Sequence, residues 1–302
     1  VRFDAQGALQ KEHYEKKSPE EWVEIAERCE DPNGRRDALS ELGGLFGEAS
    51  EAQRALLADA ITRALEVDAS PAVRVRAAEV LRLWAEPVSA DLEDEELAAA
   101  ERRHAAALQL GRTSLIAKAE NRSERVVVRR AALDALANYG EDAELAVLAE
   151  RIFQEGPSWK TMIAAAKLYR SSVPDAGAKL QEWMEISSPH EILRAGIVGE
   201  MARVPETGLL TVAGLLAPTE SNAVRMQAAR SLGDLAPDVP EVRRLLLRLL
   251  DDSSLRVRFA ALQALENRAG SPEVATVLRE FYAQSVFPRE KRAIERMLRA
   301  RP

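Results

Sequence analysis

The chain contains the nine residues Val257-Arg-Phe-Ala-Ala-Leu-Gln-Ala-Leu265, and three further stretches align with them without gaps. These stretches are Val73–Leu81, Val128–Leu136 and Val224–Leu232, and all four share the pattern Val-Arg-x-x-Ala-x-x-x-Leu. Positions one, five and nine of the pattern lie on one face of an α-helix, since that helix turns once in about 3.6 residues. The pattern therefore predicts four equivalent amphipathic helices.

Weaker copies of the pattern fill the spaces between these stretches and follow them. From Val128 onwards the copies start at positions 128, 160, 193, 224, 257 and 289, which are 31 to 33 residues apart. Such a period is too short for a globular domain and suits one helical hairpin. The stretches before each copy are rich in Leu, Val, Ile and Ala at helical spacing. With two earlier copies, at 34 and 73, the sequence predicts an all-α fold of about eight helical hairpins.

This pattern resembles the HEAT repeat, in particular the short bacterial kind that also occurs in phycobilisome-lyase-like proteins. The resemblance covers nearly the whole chain and is strongest from Val128 to Leu298. It implies an α-solenoid in which stacked hairpins form a right-handed superhelical arc with a long concave face. Neighbouring hairpins must cover each other, because a single hairpin cannot bury both of its apolar faces. We expect one solenoid over residues 18–302, preceded by an N-terminal lead or cap at 1–17.

The regular spacing breaks between Val73 and Val128, which lie 55 residues apart. We assign the excess to an acidic insertion at about residues 86–107, which contains Asp91-Leu-Glu-Asp-Glu-Glu96. Acidic residues favour a helix N-terminus, so a solvated loop followed by a helix is one interpretation. A docking element for a basic partner is another. A Ca²⁺ loop is disfavoured because its ligand spacing is not present.

The arginine at the second position of the pattern indicates a structural role. In HEAT repeats an Asp and an Arg at matching places link successive repeats in a ladder, and the resemblance implies the same ladder here. Arg74 with Asp68, and Arg258 with Asp252, are the expected pairs. The predicted ladder residues are Arg74, Asp68, Arg129, Arg225, Arg258 and Asp252. Ligand binding by these arginines is the alternative.

The third position of the second helix is predicted to face the concave side, and the seventh position lies on the same face. The predicted partner-binding residues on this concave face are Met162, Met226, Phe259, Arg130, Arg230 and Trp159. They would form a mildly apolar groove with mixed charges at its edges, and methionine adapts to varied partners. The alternative is that the predicted rotation is wrong by one position and these residues belong to the core.

The sequence contains no recognisable motif for catalysis, a cofactor or a metal. A P-loop, a G-x-S-x-G nucleophile elbow and a G-x-G-x-x-G turn are all missing. The three histidines, His13, His104 and His190, fall in different repeats, and Cys29 is the single cysteine. This composition excludes a disulfide framework and paired Cys/His spacing. We therefore expect no catalytic residues, no cofactor and no metal site.

The charge balance and the repeat architecture favour a protein partner over other partners. The net charge of −7 disfavours nucleic acid as a partner, and no apolar run reaches the roughly 20 residues that span a bilayer. The leading hypothesis is a non-catalytic scaffold that binds a protein or peptide along its concave face. One alternative is a structural subunit of a larger assembly, docked through edges or ends. Another is a HEAT-like enzyme resembling bilin lyases or DNA glycosylases, which would need a pigment pocket or a basic groove.

The compartment is not fixed by these features. Cytoplasm is slightly favoured, and export with a removed leader stays open because the chain begins at Val1 rather than at Met.

Overall fold

The computed structural model describes residues 17–88 and 94–299, and within these ranges it contains 17 α-helices and no β-strand. The predicted lead at 1–17 lies outside the described residues except for Lys17. Residues 89–93 of the predicted acidic insertion lie outside them too. The all-α prediction is confirmed.

Sixteen of the helices pack in consecutive pairs, each joined by a short loop, which gives the predicted eight hairpins. The first four hairpins are α1 (Pro19–Arg28) with α2 (Pro32–Leu45), α3 (Glu51–Val67) with α4 (Pro71–Trp84), α6 (Arg112–Glu120) with α7 (Val126–Leu136), and α8 (Ala143–Glu155) with α9 (Trp159–Ser172). The last four are α10 (Gly177–Met184) with α11 (Ile192–Met201), α12 (Gly208–Gly214) with α13 (Asn222–Leu235), α14 (Pro240–Arg248) with α15 (Leu255–Leu265), and α16 (Pro272–Gln284) with α17 (Pro288–Arg299). The remaining helix, α5 (Asp94–Gln109), is unpaired. α5 belongs to the predicted insertion and packs against α4.

The chain divides into two compact units, Val1–Val173 and Pro174–Pro302. In the first unit, the second helices of successive hairpins pack in series, α2 on α4, α4 on α7 and α7 on α9. In the second unit, α11 packs on α13, α13 on α15 and α15 on α17. Each unit is therefore a stack of hairpins, as the repeat predicts, whereas the single solenoid over 18–302 stays a prediction.

The core of each unit consists of the apolar positions of the repeat. In the four stretches that carry the strongest pattern, all residues at positions one, five and nine are 0–2% exposed. A valine, an alanine and a leucine thus recur on the buried face of each second helix. Alanine at position five lets neighbouring helices approach closely, and leucine at position nine fills the layer between repeats.

Two successive second helices of the second unit make their closest approach at a glycine. A Cβ atom added to Gly233 in α13 would lie 2.6 Å from Cβ and 2.7 Å from Cα of Ala264 in α15. Since the second of these atoms is backbone, a change of rotamer cannot relieve the overlap. The glycine therefore sets the distance between α13 and α15.

We expect Gly233→Ala to lower the free energy of unfolding, although alanine is the better helix former by about 1 kcal/mol. Overpacking costs about 1–3 kcal/mol and should outweigh that gain. Gly44→Ala in α2 is the matched control, because nothing lies within 4 Å of its added Cβ. Thermal unfolding of both variants decides the matter, and an equal rise in both melting temperatures would contradict the close approach.

Candidate functional site

Within each unit, arginines at the second position of the repeat link each hairpin to the next one. In the first unit, Arg35 Nε lies 2.7 Å from Asp68 Oδ2, and Arg74 Nη2 lies 2.7 Å from Glu124 Oε1. In the second unit the ion pairs are Arg194–Glu220 at 2.8 Å, Arg225–Asp252 at 2.8 Å and Arg258–Glu290 at 2.9 Å. In every case the carboxylate belongs to the following hairpin. We call these contacts the ladder.

Four of these arginines, all except Arg194, also donate to backbone carbonyls in their own hairpin. Arg35 Nη1 donates to the Cys29 carbonyl at 2.7 Å, and Arg258 Nη1 donates to the Asp252 carbonyl at 2.8 Å. Arg129 differs, since its Nε donates to the Ala119 carbonyl at 2.9 Å and its Nη2 lies 3.7 Å from Glu155. These guanidinium groups thus join backbone carbonyls of one hairpin to an acidic side chain of the next.

The predicted pairing of the ladder residues is corrected by these contacts. Arg74 and Arg258 do contact Asp68 and Asp252, but through the backbone carbonyls. The carboxylate of Asp68 instead accepts from Arg35, 33 residues earlier. The reason is that the aspartate follows the first helix and turns its side chain towards the preceding hairpin, which leaves only its carbonyl to its own arginine.

The ladder lowers the pKa of its carboxylates. Burial alone would raise the pKa of Asp252, but hydrogen bonds from Arg225 and from the Ser254 N–H, together with the nearby guanidinium charges, lower it below the usual range. The same balance, with burial opposed by arginine and backbone donors, lowers the pKa of Asp68 and of Glu124. All three carboxylates are therefore held as anions in the folded chain.

These lowered pKa values predict acid sensitivity. A carboxyl whose pKa is lower in the folded than in the unfolded chain stabilises the fold fully above the unfolded value, near 4, and loses that contribution as the pH falls through the folded value. We expect urea midpoints to be steady from about pH 7 to 5 and to fall progressively below about pH 5. Asp252→Asn should be less stable at neutral pH and should lose less on acidification. A midpoint that rises below pH 5 would contradict the ladder.

A second set of contacts between hairpins provides hydrogen-bond donors for carbonyl groups at the C-terminal ends of the second helices. Trp84 Nε1 donates to the Gly43 carbonyl at 3.0 Å, and Asn138 Nδ2 donates to the Arg82 carbonyl at 3.0 Å. In the second unit, Arg268 Nη1 donates to the Gly233 carbonyl at 3.1 Å. The last carbonyls of a helix have no partner within it, so these donors satisfy groups that would otherwise be costly to bury. Sequence reasoning missed this set, because its donors differ chemically.

A cavity of about 490 Å³ crosses the second helices α4, α7 and α9 of the first unit. We call it the charged groove, and its lining residues are Val75, Arg76, Glu79, Arg82, Leu83, Arg130, Ala131, Asp134 and Lys167. Val75 and Arg130 occupy the third position of their repeats, and Glu79 and Asp134 occupy the seventh. Positions three and seven of these two repeats therefore share one face, as the pattern predicts.

Ion pairs run along the charged groove. Lys167 Nζ lies 3.2 Å from Asp134 Oδ1, and Arg130 Nε lies 4.0 Å from the other oxygen of the same carboxylate. On α4, Arg76 lies 3.0 Å from Glu79. One carboxylate, that of Asp134, is thus shared by two cations on adjacent hairpins. Between the charges, Leu83 is 47% exposed and offers an apolar contact surface.

The structure corrects the placement of Met162. Its side chain is 5% exposed and belongs to the core, so it does not offer a docking surface. The buried residues of α9 show why, since Thr161, Ala165 and Ala166 are all fully buried. The fourth copy of the pattern therefore starts at 161 rather than at 160. Met162 stands at the second position, where all the other copies except the last one carry arginine.

The other predicted partner-binding residues fall in different units. Arg130 lines the charged groove, and Trp159, at the start of α9, is half-buried. In the second unit, Met226 is half-buried and Arg230 is exposed. Phe259 is also half-buried, with the Arg289 guanidinium 4.1 Å from its ring centroid. The structure thus places Arg130 in a cavity with none of the other five, and their role in binding a partner stays a prediction.

Neither a metal-ligand cluster nor a membrane-spanning helix occurs in the part of the chain that the structure describes. There, no group of three or more His, Cys, Asp or Glu side chains could hold a metal ion. Over the same residues, no helix combines the length and the apolar character needed to span a bilayer. His13 lies outside the described residues, His104 Nε2 lies 3.2 Å from the Ala85 carbonyl, and Cys29 is half-buried.

Comparison with known proteins agrees with the helical repeat. Residues 209–299 match the family described as HEAT repeats. No curated protein gives a significant match. Similar solved structures include human deoxyhypusine hydroxylase in complex with glycerol, with 18% identity, 93% of this chain and 96% of that chain covered, and a TM-score of 0.35.

Two further solved structures are also similar to this chain. A designed armadillo repeat protein in complex with the peptide (KR)4 shares 16% identity over 94% of this chain and 99% of that chain, with a TM-score of 0.28. A Kap121p mutant shares 14% identity over 93% of this chain and 33% of that chain, with a TM-score of 0.35. These values are too low to support any statement about activity or partners. Residues 209–299 match HEAT repeats, and four of the five preceding hairpins carry the ladder arginine as well.

Proposed function

We propose that this chain is a non-catalytic scaffold that docks a protein or peptide on the face formed by its second helices. The observation that carries the proposal is the charged groove, which spans three successive second helices and combines paired charges with an exposed leucine. A helical repeat that presents adjacent parallel elements in this way suits an extended partner.

The lining of the charged groove favours a polypeptide over a small molecule. Its volume of about 490 Å³ lies within the range of small-molecule sites, but such sites are lined mainly by apolar and aromatic side chains. Six of the nine lining residues here are charged, and none is aromatic. Interfaces between proteins commonly use arginine together with a small apolar centre.

The experiment compares two exposed apolar residues of the first unit. Leu83 lies in the charged groove and is 47% exposed. Val147 lies in α8, which is the first helix of its hairpin, and is 66% exposed. Because both side chains are exposed, a glutamate at either position should leave the fold intact, as circular dichroism can verify. Partner proteins are captured from an extract of the source cells by each variant and quantified by mass spectrometry.

We expect Leu83→Glu to lose the captured partner and Val147→Glu to retain it. If both variants capture the same proteins in equal amounts, the groove is not the docking face and the proposal fails. If Val147→Glu alone loses the partner, the chain docks through the first helices of its hairpins, as a structural subunit of an assembly would.

A parallel pair of variants addresses the second unit. Met226→Glu and Phe259→Glu are expected to weaken docking while the helical content is retained. If these changes unfold the chain instead, both residues belong to the core, and the docking face is restricted to the first unit.

A further inference from the structure

The charged groove is locally basic in an acidic chain. Its cations are Arg76, Arg82, Arg130 and Lys167, and its carboxylates are those of Glu79 and Asp134, while Arg82 is paired at 2.9 Å with Glu86 outside the lining. The whole chain carries a net charge of −7, so the groove departs from the average charge of the molecule. A concave site with one excess sign of charge concentrates partners of the opposite sign.

The internal ion pairs leave part of this positive charge unsatisfied. Asp134 is shared between Lys167 at 3.2 Å and Arg130 at 4.0 Å, so one carboxylate faces two cations. The Arg130 side chain is 46% exposed, and its ion pair with Asp134, at 4.0 Å, is too long for a hydrogen bond. Its guanidinium therefore presents free N–H donors, in the planar geometry that binds a carboxylate at two points.

The cations are spaced along the direction in which the hairpins stack. Arg76 lies on α4, Arg130 on α7 and Lys167 on α9, so each of three successive second helices supplies at least one. Packed helices are about 8–10 Å apart. A polypeptide in the polyproline II conformation advances about 3.1 Å per residue, and because it has three residues per turn, every third side chain lies on the same face. A segment that crosses these helices thus meets a new cation about every third residue.

Apolar atoms lie between the cations. Val75, Leu83 and Ala131 line the same cavity and can receive uncharged side chains of the segment. The carboxylates of Glu79 and Asp134 also line the groove and would repel the phosphates of a nucleic acid strand, which follow one another without interruption. The carboxylates of a peptide are separated, so they can lie away from these two residues.

We propose that the occupant of the charged groove is an extended acidic segment of a partner protein, with carboxylates about every third residue and apolar side chains between them. This inference rests on the proposed function and specifies the chemistry of its partner.

The test uses the whole chain and a defined probe. The probe is a fluorescent synthetic peptide of about twelve residues that repeats Glu-Leu-Ser, so that in the polyproline II conformation its carboxylates recur on one face about every 9 Å. The comparison peptide repeats Lys-Leu-Ser, and a single-stranded oligonucleotide of matched charge is the third ligand. Binding is measured by fluorescence anisotropy at low and at physiological salt.

We expect the acidic peptide to bind, to bind more tightly at low salt and to be preferred over both other ligands. The triple variant Arg76→Gln, Arg130→Gln, Lys167→Gln should weaken its binding by about tenfold or more. The matched control is Arg28→Gln, Arg63→Gln, Arg244→Gln, which removes the same charge from exposed ion pairs elsewhere. This control should bind like the unmodified chain.

Several outcomes would overturn the proposal. These are no binding of the acidic peptide, equal or tighter binding of the basic peptide or the oligonucleotide, or an equal loss in the two triple variants. If the acidic peptide fails while Leu83→Glu still abolishes capture of the cellular partner, docking in the groove stands and the acidic class is wrong. If Leu83→Glu also leaves capture unchanged, the proposed function fails with it.

Discussion

Replacing Arg225 by alanine is expected to lower the free energy of unfolding by about 3–5 kcal/mol. The Arg225 and Asp252 side chains are 6% and 9% exposed, and two hydrogen bonds of 2.8 and 2.9 Å join them. Removal of the guanidinium leaves a buried carboxylate without its countercharge. It also removes donors to the Glu220 carbonyl and to Asn222 Oδ1. Urea unfolding at neutral pH, followed by circular dichroism, measures the loss.

Two further variants separate the ion pair from the space that the side chain fills. Arg225→Lys keeps the charge but not the planar fork of donors, so its loss should be intermediate. The double variant Arg225→Ala, Asp252→Ala should lose less than the sum of the single variants, because no buried charge is left unpaired. A loss below about 1 kcal/mol for Arg225→Ala would indicate an ordinary surface pair and would contradict the ladder.

Truncation of Leu232 or Leu265 to alanine is expected to cost about 2–5 kcal/mol. Both leucines stand at position nine of the repeat and are buried in the layer between successive second helices. The loss combines the transfer of the removed methyl groups to water with the cavity that remains. Thermal and urea unfolding measure it.

Leu210→Ala in α12 is the matched control, because this leucine is 78% exposed. Its effect should stay within about 0.5 kcal/mol. If Leu232→Ala and Leu265→Ala change stability no more than Leu210→Ala does, position nine does not form the core of the stack.

The fold could be predicted because side chains of similar volume recur at the same positions of each repeat. In the four strong copies, valine, alanine and leucine recur at the positions that must be buried, and a helix brings those positions to one face. The copy predicted to start at 160 is one residue too early, because its small side chains do not distinguish the two registers. Ala164, Ala165 and Ala166 fit either register, since a run of equal small residues carries no information on rotation. Only the burial of Thr161 and Met162 reveals the correct one.

The ladder was predicted in kind but not in its partners. A carboxylate six residues before an arginine is near it in sequence, and the pattern alone does not distinguish the side chain from the carbonyl of the same residue. The actual carboxylates, such as Glu124 for Arg74 and Glu290 for Arg258, lie 50 and 32 residues away. The insertion before Glu124 and the replacement of arginine by glutamate at Glu290 hide this relation in the sequence.

The charged groove was predicted only in part. Position three of the repeat indicated Arg130, which lines the groove, but attention to apolar residues favoured Met162, which is buried. Lys167 was missed because the register of its repeat was wrong. With the corrected start at 161, Lys167 falls at position seven, equivalent to Asp134, with which it forms an ion pair. A signal for it was therefore present in the repeat.

Hydrogen exchange of the native chain, compared with that of Arg225→Ala, tests most directly whether the ladder joins neighbouring hairpins. If it does, backbone amides of α13 and α15 should lose protection in the variant, while those of α2 and α4 should exchange as before. A uniform loss of protection across all these helices, or no change in α13 and α15, would contradict the account.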